Sequence, residues 1–409
     1  PVTVSGGDEL VDVAADAGAK PLLYVFKTIA DPFVGQLSVF KVLSGTVRAD
    51  DHLVNSRTGA DERLHGLFVL RGKDQTPVSE VGAGDVAAVA KLTSVRTTDT
   101  LAPKGTPVRV DASALPVPQY GVAIVPRTQA DDDKLGSALA RLQTEDPLLA
   151  VDRSDETHQT VLRGLGDTHV TVALERLARK FGVNVDTAPV RVAYRETIAG
   201  RADVEGKVKK QSGGHGQFAV AQMRVSPLPR GSGFAFVDSV VGGAIPRNLI
   251  PAVQRGAEEA MATGGLHGFP VVDVQVECYD GKYHSVDSSE MAFKTAASVG
   301  LKDALTTAGV VVLEPVSLVR IEVPGDHQGE VMGDITTRRG RVLGTDNGDH
   351  GAQVISAHVP TRELQRYAVE LRSMTGGRGR YTAEHAHYDV LPSNLVDTAV
   401  LSHKQANGT

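Results

Sequence analysis

The chain has 409 residues, of which 41% are hydrophobic and 22% are charged, and its formal net charge is −6. This length exceeds what one hydrophobic core supports, so we expect several domains. The negative charge argues against a general polyanion-binding protein, and any contact with nucleic acid must come from local basic patches. The sequence has no secretion signal, no apolar run of about 18 residues and one cysteine, Cys278, which indicates a cytoplasmic protein without internal disulfides.

Residues 20–110 contain short strand-like runs separated by turn residues, among them LLYVF, LSVFKVLSG, HLVNS, LHGLFVL and VGAGDVAAVA. Short strands at this spacing are typical of an antiparallel barrel. We therefore predict a β-barrel domain over residues 1–115.

From about residue 116 the pattern changes to strands that alternate with helices. QYGVAIVPR predicts a strand, and DDDKLGSALARLQ predicts a helix whose apolar face consists of Leu135, Ala138, Leu139 and Leu142. Two strands around 148–164 follow, then a helix in DTHVTVALERLARKFG that ends at Gly182, and RVAYRETI as the closing strand. The order β-α-β-β-α-β predicts a ferredoxin-like split βαβ domain over residues 116–195.

The segment KVKKQSGGHGQF, residues 207–218, places three lysines before a glycine-rich turn. A Walker loop needs Lys-Ser or Lys-Thr after its glycines and lies between a strand and a helix. Here the glycines follow the lysines and both flanks have a strand pattern, so the segment predicts a β-hairpin and not a nucleotide pocket. From Arg195 to Arg230 there are seven Lys/Arg against three Asp/Glu. On pattern alone, an ordinary solvent-exposed hairpin is the alternative.

The rest of the third domain, predicted over 196–312, contains strands in GFAFVDSVVGG and FPVVDVQVECYDG. Helices are predicted from about Ile250 to Thr263 and in SSEMAFKTAASVGLKDALTTAG. The split βαβ order then appears again in VRIEVP, GEVMGDITTRRG, RVLGTDN, AQVISAHVP, RELQRYAVELRSMTGG and RYTAEHAHYDV. We predict a second ferredoxin-like domain over 313–392 and a C-terminal helix and tail over 393–409.

Taken together, these segments resemble the elongation factor G family of translational GTPases. DPFVGQLSVFKVLSG is similar to its second domain, and the stretch from LQTEDPLLAV to VAYRETI is similar to its third. KKQSGGHGQF, GGAIPRNLIPAVQRG and YHSVDSSEMAFKTAAS are similar to its fourth domain. GDITTRRGRVLG and LRSMTGGRGRYTAEHAHYD are similar to its fifth. The resemblance implies a multidomain α+β protein in which domain IV has a ribosomal-protein-S5-like βαβ fold.

The family's GTPase motifs do not occur in this sequence. Neither Gly-x-x-x-x-Gly-Lys-Ser/Thr nor Asn-Lys-x-Asp is found, and the first residue is not methionine. We therefore expect the chain to comprise domains II to V of a longer factor. The resemblance implies that GTP and magnesium bind to the GTPase domain of that factor, so no cofactor is expected in this chain.

The resemblance also implies a function and partners. It implies a monomeric factor that enters the ribosomal A site and promotes GTP-dependent movement of tRNA and mRNA in protein synthesis. Its partners are then ribosomal RNA and the A-site tRNA–mRNA, with no membrane. By the same resemblance, Ser285 stands where most relatives have Asp, and GDTH (166–169) stands where they usually have Gly-Glu-Leu-His, which indicates a divergent paralogue. Ribosome protection, recycling and a non-enzymatic ribosome- or RNA-binding regulator are the alternative functions.

By resemblance, contacts with RNA at the decoding centre lie in two loops at the tip of domain IV. The first loop consists of Gln211, Ser212, Gly213, Gly214, His215, Gly216 and Gln217, and the second of His284, Ser285, Val286 and Asp287. Small residues allow close approach, and Gln, Ser and His can donate hydrogen bonds to 2′-hydroxyls and phosphates. The lysines of the hairpin, which favour approach to phosphates, are Lys207, Lys209 and Lys210.

Other residues with chemical potential have alternative explanations. Arg338, Arg339 and Arg341 are candidates for contact with ribosomal RNA, or they complement the negative end of a helix dipole. His385 and His387 share a strand face and resemble a metal pair, but without a third ligand we favour packing or surface positions. Cys278 is expected to be a small core residue. No catalytic residue and no metal site is predicted.

Overall fold

A computed structural model of the chain describes residues 2–6, 9–31, 35–106, 108–111, 115–154, 156–210 and 216–407. The chain divides into two compact units, Pro1–Val190 and Arg191–Thr409. None of the helices in the described ranges is both long enough and apolar enough to cross a membrane.

The first unit begins with antiparallel β-structure. Its strands are β1 (Val2–Gly6), β2 (Glu9–Val13), β3 (Leu22–Asp31), β4 (Gly35–Ser44), β5 (Thr46–Arg48), β6 (His52–Asn55), β7 (Asp61–Arg63), β8 (Leu67–Arg71), β9 (Asp74–Val78), β10 (Glu80–Gly82), β11 (Val86–Ala90) and β12 (Thr100–Ala102). Eight of them form a half-barrel sheet in the order β7-β6-β12-β3-β4-β11-β8-β9, while β1 pairs with β2 and β5 pairs with β10. Alternation along the longer strands buries Leu23, Val25, Phe40 and Val42 in one core.

The second part of this unit is the predicted split βαβ arrangement. Its elements are β13 (Tyr120–Pro126), α1 (Gln129–Glu145), β14 (Ala150–Ser154), β15 (Gln159–Gly164), α2 (Asp167–Phe181) and β16 (Val185–Ala188). The sheet order β14-β15-β13-β16, antiparallel throughout, is that of a ferredoxin-like fold. The predicted apolar face of α1 is confirmed, since Leu135, Ala138, Leu139 and Leu142 are all buried. Gly182 ends α2 in the left-handed conformation, as predicted.

The predicted closing strand of this domain is wrong. RVAYRETI does not enter this sheet: its strand pairs in the second unit, and the closing position is taken by β16 at Val185–Ala188. β16 is a short edge strand whose central residues, Asp186 and Thr187, are exposed, so it lacks the apolar alternation that sequence patterns detect.

The second unit contains the following elements in chain order. They are β17 (Arg195–Ile198), β18 (Ala202–Lys210), β19 (Gln217–Pro227), β20 (Phe234–Asp238), α3 (Ile250–Thr263), β21 (Val274–Lys282), α4 (Glu290–Ala308), β22 (Val310–Pro324), α5 (Gln328–Thr337), β23 (Arg341–Asn347), β24 (Ala352–Pro360), α6 (Tyr367–Met374), β25 (Arg380–Val390) and α7 (Ser393–Asn407). Short 3₁₀ turns occur at Arg247–Leu249, Gly325–His327, Asp349–Gly351 and Thr361–Leu364.

Domain IV, the first part of this unit, is a sheet in the order β18-β19-β21-β20 with α3 and α4 packed on one face. β20 and β21 are parallel and connected through α3, which is the βαβ crossover expected of an S5-like fold. β18 lies directly on α4 at Gly206, where a Cβ atom would overlap the carbonyl oxygen of Ala296. Glycine at this position therefore allows the hairpin strand and the helix to approach closely.

Domain V repeats the ferredoxin-like order, since β22 pairs with β25 on one side and with β24, followed by β23, on the other. The predicted helix in RELQRYAVELRSMTGG is confirmed only in part. It begins with the 3₁₀ turn Thr361–Leu364, and α6 starts at Tyr367. Leu364, the last residue of this turn, and Tyr367, the first residue of α6, are both buried.

A buried carboxylate connects the two parts of this unit. Glu196 on β17 lies opposite Val312 of β22, and its side chain is 0% exposed. Its Oε1 accepts hydrogen bonds from the backbone N–H groups of His267 (3.0 Å) and Phe269 (2.9 Å). Burial raises the pKa of Glu196 above its usual range, against the opposing effect of these hydrogen bonds.

Candidate nucleic-acid interface

The predicted hairpin is present at one end of domain IV. β18 and β19 are antiparallel, with continuous pairing from Ala202 opposite Val225 to Lys210 opposite Gln217. Gln211, Ser212, Gly213, Gly214 and His215, which form most of the predicted first loop, lie outside the described residues. Gly216 and Gln217 are described, and the returning strand β19 begins at Gln217.

The second predicted loop lies against the loop end of this hairpin, beside Gly216 and Phe218. The Asp287 carboxylate accepts a hydrogen bond from the backbone N–H of Gly216 (Oδ1 to N, 3.1 Å). The Asp287 carbonyl oxygen accepts one from the N–H of Phe218 (2.9 Å). The Ser288 hydroxyl donates to the Phe218 carbonyl oxygen at 2.6 Å. Two segments about 70 positions apart in the sequence are thereby held as one structure.

His284 has a defined orientation in the second loop. Its Nδ1 lies 3.2 Å from the backbone nitrogen of Asp287 and 3.4 Å from that of Val286, and it accepts from both N–H groups. Its ring meets Phe218 edge-on, with 6.4 Å between ring centroids. The same Nδ1 also lies 3.3 Å from the Asp287 carboxylate (Oδ2), so this side of the ring is engaged within the loop. The imidazole is about half exposed (54%), so it can offer an N–H donor to a ligand.

The outer surface of the second loop is small and mixed in polarity. Ser285 is exposed, and Val286 is 69% exposed. A hydroxyl, an imidazole donor and a small apolar side chain suit the wide, shallow minor groove of an RNA helix, where 2′-hydroxyls and base edges are accessible. A loop held by backbone hydrogen bonds presents these groups with little further ordering cost.

The lysines of the hairpin stem are available to a ligand. Lys207, Lys209 and Lys210 are exposed, and none takes part in an ion pair recorded among the described residues. Ammonium groups without intramolecular carboxylate partners can release counterions when they meet phosphates, which is the main source of non-specific affinity for nucleic acid.

Two of the three candidate arginines of domain V have intramolecular partners. Arg338 Nε lies 2.7 Å from Asp334 Oδ2, and its NH2 nitrogen lies 2.7 Å from Glu370 Oε2. Arg339 forms a bidentate pair with Glu314, at 2.6 and 2.9 Å, and also meets Glu363. These guanidinium groups already have carboxylate partners within domain V.

Arg341, the third candidate, is exposed on β23 opposite His358 of β24. Burial lowers the pKa of His358, with further contributions from the charges of His387 and Arg341. Because Arg341 is exposed, its guanidinium is accessible to a ligand, whereas those of Arg338 and Arg339 are paired with carboxylates.

The pair considered for a metal is separated by a bulge in the strand pairing of β25. His385 lies opposite Ser317 and contacts Tyr388, whereas His387 lies opposite Val316 and contacts His358, with 5.0 Å between ring centroids in each case. Within the described residues, no group of three or more His, Cys, Asp or Glu is placed to hold a metal.

Cys278 is in the core of domain IV, where burial raises the pKa of its thiol to about 12. The side chain thus packs as a small apolar residue, as predicted, and the thiol is poorly reactive.

The unusual GDTH motif lies at the start of α2. Gly166 precedes the helix, and Asp167 and Thr168 are exposed in its first turn. His169 accepts a hydrogen bond from the N–H of Leu165 (3.1 Å), and its Nε2 lies 2.9 Å from the Asp146 carboxylate at the end of α1. His169 therefore connects the two helices, while the residues that depart from the family pattern lie at the surface.

Some residues of the interface have no local sequence signal. Ser288 and Phe218 hold the second loop on the hairpin, and Lys282 ends β21 beside it. The one local cue is the Ser-Ser-Glu sequence before α4, where Ser289 is the N-cap and accepts from the N–H of Ala292. Strand register, which depends on distant residues, determines the rest.

Four family profiles match the chain. They are described as elongation factor G domain 2 (residues 21–104), domain III (115–189), domain IV (190–309) and the elongation factor G C-terminus (311–399). In order along the chain, they correspond to the half-barrel, the first ferredoxin-like domain, the domain with the hairpin and the second ferredoxin-like domain.

Curated relatives and a solved structure agree with these matches. Proteins named "Elongation factor G-like protein" from Mycobacterium tuberculosis strains CDC 1551 / Oshkosh and ATCC 25618 / H37Rv are each 43% identical over 401 residues, which is 94% of this chain. The chain spans 56% of the length of these relatives. A crystal structure of a protein from Thermus thermophilus aligns with a TM-score of 0.79 at 37% identity, over 95% of this chain and 58% of that one. The chain belongs to the elongation factor G family.

Proposed function

We propose that this chain is the ribosome-binding portion of an elongation factor G-like translational GTPase, which promotes GTP-dependent movement of tRNA and mRNA. The observation that carries the proposal is the hydrogen-bonded union of the hairpin with the second loop, through Asp287, Gly216 and Phe218. This union supports a single tip that presents His284 and Ser285 outward. In this proposal the factor acts as a monomer in the cytoplasm.

The physical basis of the proposed role is a stiff probe for an RNA duplex. Donors at the tip recognise 2′-hydroxyls and phosphates of the A-site tRNA–mRNA duplex and of ribosomal RNA, independently of sequence. The chain supplies binding and positioning. GTP and magnesium bind to the GTPase domain of the longer factor, and the nucleotide state biases how the rigid domains are arranged.

A second candidate is a ribosome-protection or recycling role, favoured by Ser285. Where family members carry a carboxylate beside the tip histidine, this loop has a neutral hydroxyl, so its electrostatic interaction with RNA differs. A factor with this change can occupy the same ribosomal site without driving movement.

A paired measurement tests the proposal in the longer factor with its GTPase domain. Toeprinting reports mRNA movement, and thermal melting reports stability, for the wild type and for His284→Ala. We expect reduced movement with a loss of stability of no more than about 1 kcal/mol, because the loop is exposed and water can satisfy the two N–H groups that lose their acceptor.

Other outcomes separate the candidates. Lost stability with normal movement per folded molecule would assign His284 to structure and contradict the proposal. If the wild-type factor binds ribosomes but moves no mRNA, the protection or recycling role replaces translocation.

A further inference from the structure

The strand register of domain IV aligns two lysines across three strands. Lys207 on β18 lies opposite Val220 on β19, and Val220 lies opposite Lys282 on β21. Residues directly opposite one another in antiparallel strands project from the same face of the sheet. Lys207, Val220 and Lys282 therefore form a row, although the two lysines are far apart in the sequence.

This row faces away from the helices. The adjacent row consists of Gly206, Ala221 and Gly281, and Gly206 lies against Ala296 of α4. Since successive residues of a strand point to opposite faces, Lys207 and Lys282 point to the face without helices.

A third lysine extends the same face towards the tip. Lys209, two residues beyond Lys207, pairs with Phe218, the residue that contacts His284. Lys207 and Lys209 are roughly 7 Å apart along the strand, and Lys207 and Lys282 roughly 10 Å apart across the sheet. All three lysines are exposed, whereas Lys210, by alternation, points to the helix side.

Charge on this face is divided between its two ends. Towards the base, Arg224 is neutralised by Asp203 (3.2 Å) and Glu277 (2.9 Å), and its guanidinium also lies over the ring of Tyr279. None of the ion pairs recorded among the described residues includes Lys207, Lys209 or Lys282. Between the two ends lies the row Glu205, Gln222 and Asp280, which places two exposed carboxylates on the same face. The positive charge of Lys207, Lys209 and Lys282 therefore lies on the side of these carboxylates that adjoins the second loop.

The middle residue of the row is buried. Val220 projects from the face without helices, yet it is only 2% exposed. Its neighbours in the row, Lys207 and Lys282, are exposed. A lysine can lay its aliphatic stem over a neighbouring apolar side chain while its ammonium group stays in water.

We propose that Lys207, Lys209 and Lys282 form a phosphate-binding face that contacts the backbone of an RNA strand beside the tip. The proposal rests on the proposed ribosome-binding function and adds to it a surface that includes Lys282. RNA is the partner favoured by the position, because the face adjoins the second loop, whose His284 and Ser285 can donate hydrogen bonds to 2′-hydroxyls.

The test is the salt dependence of ribosome binding by this chain, measured by co-sedimentation between about 50 and about 200 mM KCl. Lys207→Gln, Lys209→Gln and Lys282→Gln are compared with wild type, singly and together. Each lost phosphate contact should reduce the slope of log K against log salt by roughly 0.7 to 0.9, and the triple variant by roughly 2 to 3. The matched control is Lys302→Gln, an exposed lysine on α4 of the same domain, which should leave the slope unchanged.

Each outcome bears on a distinct claim. If Lys282→Gln matches wild type while His284→Ala weakens binding, the phosphate-binding face is wrong and the proposed function stands. If the unchanged chain shows no salt-dependent binding, both are overturned. Cross-linking from position 282 to a ribosomal protein in place of RNA would indicate an acidic protein partner and also overturn the inference.

Discussion

The basic residues of the domain IV hairpin and those at the end of α5 look alike in the sequence, yet their surroundings differ. Lys207 and Lys209 are exposed, without a recorded ion pair among the described residues. Arg338 and Arg339 are paired with Asp334, Glu370, Glu314 and Glu363. A basic run therefore indicates a nucleic-acid surface only where the fold supplies no carboxylates of its own.

The paired arginines have a clear structural role. Arg339 has a φ of 59°, in the left-handed region that a non-glycine residue adopts at some cost. Its bidentate contact with Glu314, whose side chain is 5% exposed, satisfies a buried carboxylate. Arg338 also lies over the ring of Tyr367, with 4.9 Å from Cζ to the ring centroid. Contact with RNA would require these groups to leave their partners.

The largest effect that tests this comparison is expected from Arg339→Ala. The substitution leaves the Glu314 carboxylate buried and unpaired, so we expect the free energy of unfolding to fall by about 2–4 kcal/mol. This is somewhat less than the loss from breaking a fully buried ion pair, because Arg339 is partly exposed. Hydrogen exchange of the β22 amides is the measurement, since it reports on this sheet separately from the other unit.

The control is Arg341→Ala two positions later, which removes an exposed guanidinium and should change stability by less than about 0.5 kcal/mol. Equal effects of the two substitutions would show that the intramolecular pairs do not distinguish these arginines.

A smaller effect is expected from Gly206→Ala, which disturbs the close packing of β18, the strand that carries Lys207 and Lys209, against α4. The added Cβ meets the carbonyl oxygen of Ala296, so the strand must move off α4 at a cost of about 1–3 kcal/mol. Urea unfolding of the Arg191–Thr409 unit is the measurement. Gly344→Ala is the control, because Gly344 lies in a strand with open space around it. Its free energy of unfolding should stay within about 0.5 kcal/mol of the wild-type value. A harmless Gly206→Ala would mean that close packing does not fix the orientation of the lysines.

The smallest effect is expected from Glu196→Gln, which extends the comparison to a buried acid without a paired cation. The pKa of Glu196 is raised in the folded state, so its contribution favours folding at low pH and is lost as pH rises through that pKa. Gln keeps the Oε1 acceptor but cannot ionise. The ordinary glutamate pKa is about 4.3. The free energy of unfolding of the variant, relative to that of wild type, should therefore increase as pH rises from about 4 to about 7.

The measurement is urea unfolding of wild type and variant across this pH range. Other groups titrate in both proteins, so their contributions cancel in the difference between the two free energies of unfolding. His267, whose charge opposes the shift, is present in both proteins. A pH-independent difference would show that folding does not shift the pKa of Glu196, and it would contradict this account.

The sequence predicts elements with strong periodicity and misses those defined by distant partners. The face of α1 and the hairpin of β18 and β19 follow from apolar spacing and glycine position. β16 has no such pattern, so the sequence alone assigns its place to the strand that contains Glu196.

For the site, sequence identifies the two loops but not how they join. The Asp287–Gly216 contact spans 71 positions, and the carboxylates that pair with Arg339 lie 24 and 25 positions away. Lys282 aligns with Lys207 only through the register of β19. Such pairings depend on tertiary packing, which local propensity does not encode.

The most direct test of the account is to map the ribosomal RNA around the tip. In Ser285→Cys the new thiol is exposed, whereas Cys278 is buried with its pKa raised to about 12, so an iron-based cleavage probe attaches selectively. Thr306→Cys is the control, because Thr306 is exposed on the same domain but far from the tip. Helix α4 begins beside the second loop at Glu290, and Thr306 lies 16 residues later, about 24 Å along the helix. The account predicts cleavage at the decoding region from position 285 and not from 306. Equal cleavage from both positions, or cleavage elsewhere from 285, would contradict it.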